Sequence, residues 1–116
     1  MKIIKGIIFV IFAAEGITKL ISLPFHVNYF TQSGYPLSFM YLIGILELAG
    51  AIGILIPKLS LLANIGLLFL LVGIYYTHIK NGDAVQMMGL AFLATALLIT
   101  HMVLWFKKRR DVRLYV

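Results

Sequence analysis

Cysteine is absent from the chain, which excludes disulfide frameworks, thiol redox chemistry and thiolate metal sites. Charge is scarce as well: 12% of the 116 residues are charged, and Asp and Glu together number 4. At 62% hydrophobic residues and a mean hydropathy of +1.03, a soluble domain of this length would expose apolar patches large enough to precipitate it. The composition therefore indicates an integral membrane protein. Phosphate-cradling glycine loops, internal repeats and low-complexity linkers are missing, and no haem, flavin or iron-sulfur signature is present. The net charge of +6 would suggest nucleic acid in a soluble protein. Here the basic residues flank apolar runs and are read as topology, so no nucleic-acid partner is expected.

A chain of 116 residues has room for about four spans of roughly 20 residues and for no separate soluble domain. The apolar runs place these spans at residues 3–23, 39–56, 59–78 and 84–106, followed by a basic tail at 107–116. The expected fold is an all-α membrane protein, an antiparallel four-transmembrane-helix bundle forming one domain. The first run follows two lysines, as a signal peptide does, but it continues past Glu15 and three comparable spans come after it. It is read as a retained span. Between spans one and two, Pro24 opens and Gly34 closes a segment rich in aromatic and polar residues, an interfacial half-helix that either covers a ligand entrance or seals the bundle.

The charges orient the bundle. Lys2, Lys5, Lys58 and the run Lys107, Lys108, Arg109, Arg110 and Arg113 fall on one side, whereas the other connections offer Lys80 alone. Both termini are expected to be cytoplasmic in a multi-pass cell-membrane protein.

Polar residues inside the spans are the candidates for function, because ionisable groups at membrane depth are costly. In span one, Glu15, Thr18, Lys19 and Ser22 share a stripe, and Glu15 and Lys19 have the four-residue spacing of an ion pair. In span two, Glu47 shares an arc with Gly44, Gly50 and Ala51, the small-residue face that another helix approaches. At about 1.5 Å per residue, Glu15 and Glu47 each lie roughly 12 Å from the outer end of their span. Span three adds Asn64, Leu71, Tyr75 and His78 on one face, with His78 at the outer end; span four brings Gln86 near the outer side. Asp83 is a candidate cap for span four, and His101 is assigned to hydrogen bonding at the inner interface, with phospholipid headgroups among its partners.

Gly16, Lys19 and Leu20, then Gly34-Tyr35-Pro36, then Gly44, Glu47, Gly50, Gly53, Leu55 and Pro57, and finally His78 before a short loop, follow in an order and spacing that resemble DoxX-like membrane proteins. The resemblance covers nearly the whole chain and implies a four-helix membrane bundle. The family's usual polar positions correspond to Lys19, Glu47 and His78. Members of the wider family are linked to a quinone-reducing thiosulfate oxidoreductase, to redox-stress responses and to assembly roles.

Two readings of the polar cluster stay open. In the first, Glu15, Lys19, Glu47, Tyr75, His78 and Gln86 surround a hydrophobic ligand with a polar head in the outer half of the bundle. A quinone or quinol fits, since an apolar cleft holds the ring while His, Tyr or Glu exchange protons and hydrogen bonds with its oxygens. The chain carries no intrinsic cofactor signature, so redox turnover requires a partner subunit. In the second, Lys19 neutralises the carboxylates and the network fixes helix register in a scaffold or assembly protein. Ionisable groups on three helices at one level exceed what register needs, which favours the first. Acid/base catalysis on a lipid and small-solute transport rank lower, and Lys19 opposes a metal site. Gly66, Gly73 and Gly89 offer close-approach surfaces for a homo-oligomer or another subunit.

Overall fold

A computed structural model describes residues 2–114 of the chain, with side chains described through residue 110. The described residues are all-helical: α1 (Lys2–Leu20), α2 (Pro24–Gln32), α3 (Leu37–Leu55), α4 (Ser60–Asn81), a short 3₁₀ turn (Val85–Met88) and α5 (Gly89–Leu114). Leu37–Leu55, Ser60–Asn81 and Val85–Arg110 are each long and apolar enough to cross a membrane. α1 meets that description only together with α2, from which it is bent by 79°, because Lys5, Glu15 and Lys19 interrupt its apolar run.

The bend falls short of the expected end of the first span. Pro24 disfavours the helical conformation in the residue before it, and Ser22 reverses the chain at φ 59°. Backbone amides of Ser22 and Leu23 bond back to Lys19 and Thr18, closing α1. Pro24 then starts α2 at a position where its missing N–H is no loss. Gly34, at φ 85°, ends the segment in the left-handed region that a side chain disfavours. α3 stops at Leu55, just before Pro57, and α5 runs on beyond the expected boundary so that Lys107 to Arg110 extend the helix. The side chain of Arg113 and residues 115 and 116 of the basic tail lie outside the described residues.

α1 packs on α3, α3 on α4, α4 on α5, and α5 returns to α1, while α2 lies against α1 and α3. The closest approach is between α1 and α3 at facing glycines. A Cβ on Gly16 would stand 2.6 Å from the Gly44 carbonyl oxygen, and one on Gly44 would stand 3.0 Å from that of Gly16. Only hydrogen side chains let the backbones come this near. The core on this frame joins Ile8 and Phe12 with Ala51 and Ile54, Leu67 and Leu71, and Ala94 and Leu98. Ile3, Val10, Phe69, Val72 and Ile79 turn outward, as expected where hydrocarbon rather than water surrounds the helices.

Two polar residues depart from their expected places. His101 is fully buried, not at an interface. Its Nδ1 lies 2.8 Å from Asn64 Nδ2 and its Nε2 lies 3.1 Å from Ser60 Oγ, which in turn donates to the Ile54 carbonyl. The Asn64 amide also donates to the Leu98 carbonyl at 2.8 Å. These donors fix the neutral tautomer with hydrogen on Nε2, and they explain the correction: α4 supplies partners one turn apart that draw the ring inward. Asp83 does not cap the last helix either. Ala84 precedes the 3₁₀ turn without a side-chain cap, and the Asp83 carboxylate is taken up by Tyr29 and His78 instead.

Candidate functional site

At the end of the bundle where α1 and α4 finish, a cavity of about 340 Å³ opens between α1, α2, α3, α4 and α5. Phe12, Leu71, Ala91 and Ala94 form its apolar floor, and Phe25 and Phe30 of α2 cover it from the side. Most of the lining is apolar, with polar groups gathered at two poles.

The first pole is an ion triad. Lys19 Nζ donates to Glu15 Oε2 at 3.1 Å, one helical turn earlier, and stands 2.8 Å from Glu47 Oε1 across the Gly16–Gly44 contact. Lys19 is 5% exposed and Glu47 is 1% exposed. The close backbone approach is what brings the ammonium of α1 within reach of the carboxylate of α3. At that distance the ammonium and the Glu47 carboxylate form a buried ion pair, each charge compensating the other away from water. His26 joins from α2. Thr18 Oγ1 donates to helix carbonyls at Ala14 and Glu15, so it accepts from His26 Nε2 at 2.9 Å, and that ring nitrogen lies 3.9 Å from Glu15 Oε2.

The second pole joins α2, α4 and the loop after it. Tyr29 donates its hydroxyl hydrogen to Asp83 Oδ2 at 2.8 Å, and His78 Nδ1 reaches the same oxygen at 2.8 Å. A carboxylate only accepts, so Nδ1 of His78 carries a hydrogen. Nε2 of His78 has no hydrogen-bond partner among the described residues. The bonds from His78 and then from Tyr29 hold the Asp83 carboxyl below the usual carboxylate range. The α2 segment is pinned above this pole. Asn81 Nδ2 donates to Ser33 Oγ at 2.8 Å, Lys80 donates to the Ser33 carbonyl at 3.2 Å, and Tyr35 lies 2.9 Å from Thr77 Oγ1.

Of the residues singled out in the sequence, the cavity therefore gathers Glu15, Lys19, Glu47 and His78. Tyr75 lies elsewhere: its hydroxyl is 2.6 Å from Thr95 Oγ1 and its ring stacks on Phe92. Gln86 is exposed on the 3₁₀ turn, where its neighbour Met87 lines the cavity. His26, Tyr29 and Asp83 complete the poles without having been candidates. The three- and four-residue spacing of His26, Tyr29 and Phe30 along α2 is the signal that marks that helix as facing the bundle. Asp83 has no such local signal. Among the described residues no three His, Asp or Glu side chains converge as a metal-binding set.

No curated protein and no solved structure matches the chain. A family model of the DoxX-like family does match, over residues 3–103, a range that holds every residue of both poles and of the cavity lining. Together with helices long and apolar enough to cross a bilayer, this match makes the chain an integral membrane protein of the DoxX-like family.

Proposed function

We propose that this protein is a membrane subunit that binds a hydrophobic ligand with a polar head, of the quinone type, in the outer half of an antiparallel four-span bundle with both termini cytoplasmic. One observation carries the reading: Glu15, Lys19, Glu47 and His78, from three helices, line a single apolar cavity of about 340 Å³. That volume falls within the ordinary range of small-molecule sites, and such sites combine apolar walls with a few convergent polar groups. An aromatic head fits between Phe12, Phe25, Phe30 and Leu71, with its tail leaving toward lipid. The orientation rests on Lys2, Lys5, Lys58 and Lys107 to Arg110 gathering on one side. A quinone there would exchange electrons with a partner subunit, since the chain carries no electron-transfer signature of its own.

The second reading, a scaffold whose charges fix packing, draws on the Lys19–Glu47 pair lying directly beside the Gly16–Gly44 contact. Native mass spectrometry with lipid extraction separates the two. A quinone or other isoprenoid that co-purifies with the wild type and is lost from Glu47→Gln supports the binding site. An empty protein in both, with only the stability of the variant reduced, supports the scaffold.

A further inference from the structure

The two poles of the cavity differ in what they leave open. At the first, the Lys19 ammonium sits between Glu15 and Glu47, and Lys19 and Glu47 are almost wholly enclosed. At the second, the chain builds a holder for one ring. Gly82, at φ 68°, ends α4 in the left-handed region and reverses the chain, so that the Asp83 amide donates to the His78 carbonyl at 3.0 Å. The same turn lays the Asp83 carboxylate against the His78 ring. Nδ1 of His78, the Tyr29 hydroxyl oxygen and Oδ2 of Asp83 form a triangle with sides of 2.9, 2.8 and 2.8 Å. The Tyr29 ring also packs on the imidazole, with centroids 5.4 Å apart. Turning the imidazole over would put a carbon in place of Nδ1 and break both of its polar contacts. The opposite edge of the ring is open. Among the described residues the buried side-chain atoms without a hydrogen-bond partner are Glu47 Oε1 and Asn64 Oδ1, so the unpaired Nε2 of His78 keeps accessible surface. His78 lines the cavity, and Asp83, partly exposed on the loop after α4, does not. The imidazole thus stands between the apolar cavity and a carboxylate outside it.

From this geometry we infer that Nε2 of His78 is the atom that meets the polar head of the ligand and exchanges a proton with it, and that Asp83, with Tyr29, is the positioning residue that keeps this nitrogen toward the cavity. This rests on the quinone-type reading above and names the contact within that site. With its hydrogen on Nδ1 alone, the ring accepts at Nε2 from a hydroxyl; as imidazolium it donates from Nε2 to a carbonyl or phenolate oxygen. In the exchange an O–H bond of the head breaks as an N–H bond at Nε2 forms, the O–H electron pair stays on oxygen, and nothing is oxidised or reduced. The Asp83 carboxylate accepts from Nδ1 in both states, so the ring keeps its orientation throughout.

The test is nitrogen-15 NMR of the full-length protein in nanodiscs, labelled in its three histidine rings and titrated with a 1,4-hydroquinone carrying a decyl tail under anaerobic conditions. His78→Phe, which keeps a ring but has no nitrogen, assigns the His78 signals, and His101, held by Ser60 and Asn64 at the far end, is the reference. The Nε2 signal of His78 is expected to move along the binding curve while the signals of His101 stay and the Nδ1 hydrogen remains in place. His78→Phe and Asp83→Ala should each weaken binding about tenfold, the worth of one hydrogen bond. Asp83→Asn, whose carbonyl still accepts from Nδ1, should recover most of the affinity and the Nδ1-hydrogen signature that Asp83→Ala loses. Saturable binding that leaves the Nε2 signal in place, or that falls with Glu15→Gln and not with His78→Phe, overturns the inference and leaves the quinone-type site standing. An Asp83→Ala protein that binds as the wild type does and keeps its hydrogen on Nδ1 overturns the positioning role, as does loss of that hydrogen when the wild type binds. Absence of saturable binding overturns the binding site itself. Both ring signals are read on the wild type, so they decide the question even where a variant fails to fold.

Discussion

Lys19 Nζ stands 2.8 Å from Glu47 Oε1, a contact between two buried side chains on different helices. Each member makes the burial of the other tolerable, because an isolated charge away from water would be destabilising by several kcal/mol. The pair sits where α1 and α3 approach most closely, so its geometry and the glycine contact beside it depend on one another.

Removing one member should therefore cost more than removing both. Lys19→Met is expected to lower stability by about 3–5 kcal/mol, and Lys19→Met with Glu47→Met to recover most of that loss. Thermal unfolding in detergent reads both. A single variant that melts with the wild type would show that the pair contributes nothing to the fold.

The glycine contact makes its own prediction. Gly16→Ala would place a methyl group 2.6 Å from the Gly44 carbonyl oxygen and 3.0 Å from the Leu48 amide nitrogen, both backbone atoms that cannot swing away. Overpacking of this kind costs about 1–3 kcal/mol or more. Gly66→Ala, where nothing lies within 4 Å, should be neutral. Unfolding by denaturant in mixed micelles compares the two, and equal losses would contradict the tight crossing.

Asp83 predicts a dependence on pH. Its carboxyl is held below its ordinary value by the hydrogen bonds from His78 and Tyr29, so the folded state binds that proton less readily than the unfolded state. The stability this contributes is fully present above the ordinary aspartate pKa of about 3.9 and is lost as pH falls through the depressed folded value. Asp83→Asn should be less stable than wild type at neutral pH, with the difference shrinking on acidification. Melting curves across the acid range check this; a constant difference would remove Asp83 from the linkage.

His101 belongs to the far end of the bundle, and its loss should be felt there alone. His101→Ala leaves a cavity and strips Ser60 and Asn64 of a partner, for an expected cost of about 2–4 kcal/mol. Ligand binding between α1 and α4 should keep its affinity. A variant as stable as wild type would return His101 to the interfacial role that its sequence position suggests.

Membrane character, the all-helical fold and the principal breaks were legible in the sequence because they are local properties. Apolar runs set the spans, Pro24, Gly34 and Pro57 stop or start helices through their own backbone geometry, and the small residues around Glu47 mark a face for close packing. The four-residue spacing of Glu15 and Lys19 likewise forecasts their contact, since one helical turn separates them. Which distant side chains meet is not a local property. It depends on how each helix is rotated about its axis and on the 79° bend at Ser22 that folds α2 over the cavity. Tyr75 and His78 lie within one turn of each other, yet one turns to Thr95 and the other to Asp83 and the cavity. Tyr29 and Asp83 are 54 positions apart and share a hydrogen bond. The chain's own pattern determined a bundle with buried charge; the tertiary packing decided which charges line its cavity, because only assembled helices define what each face sees.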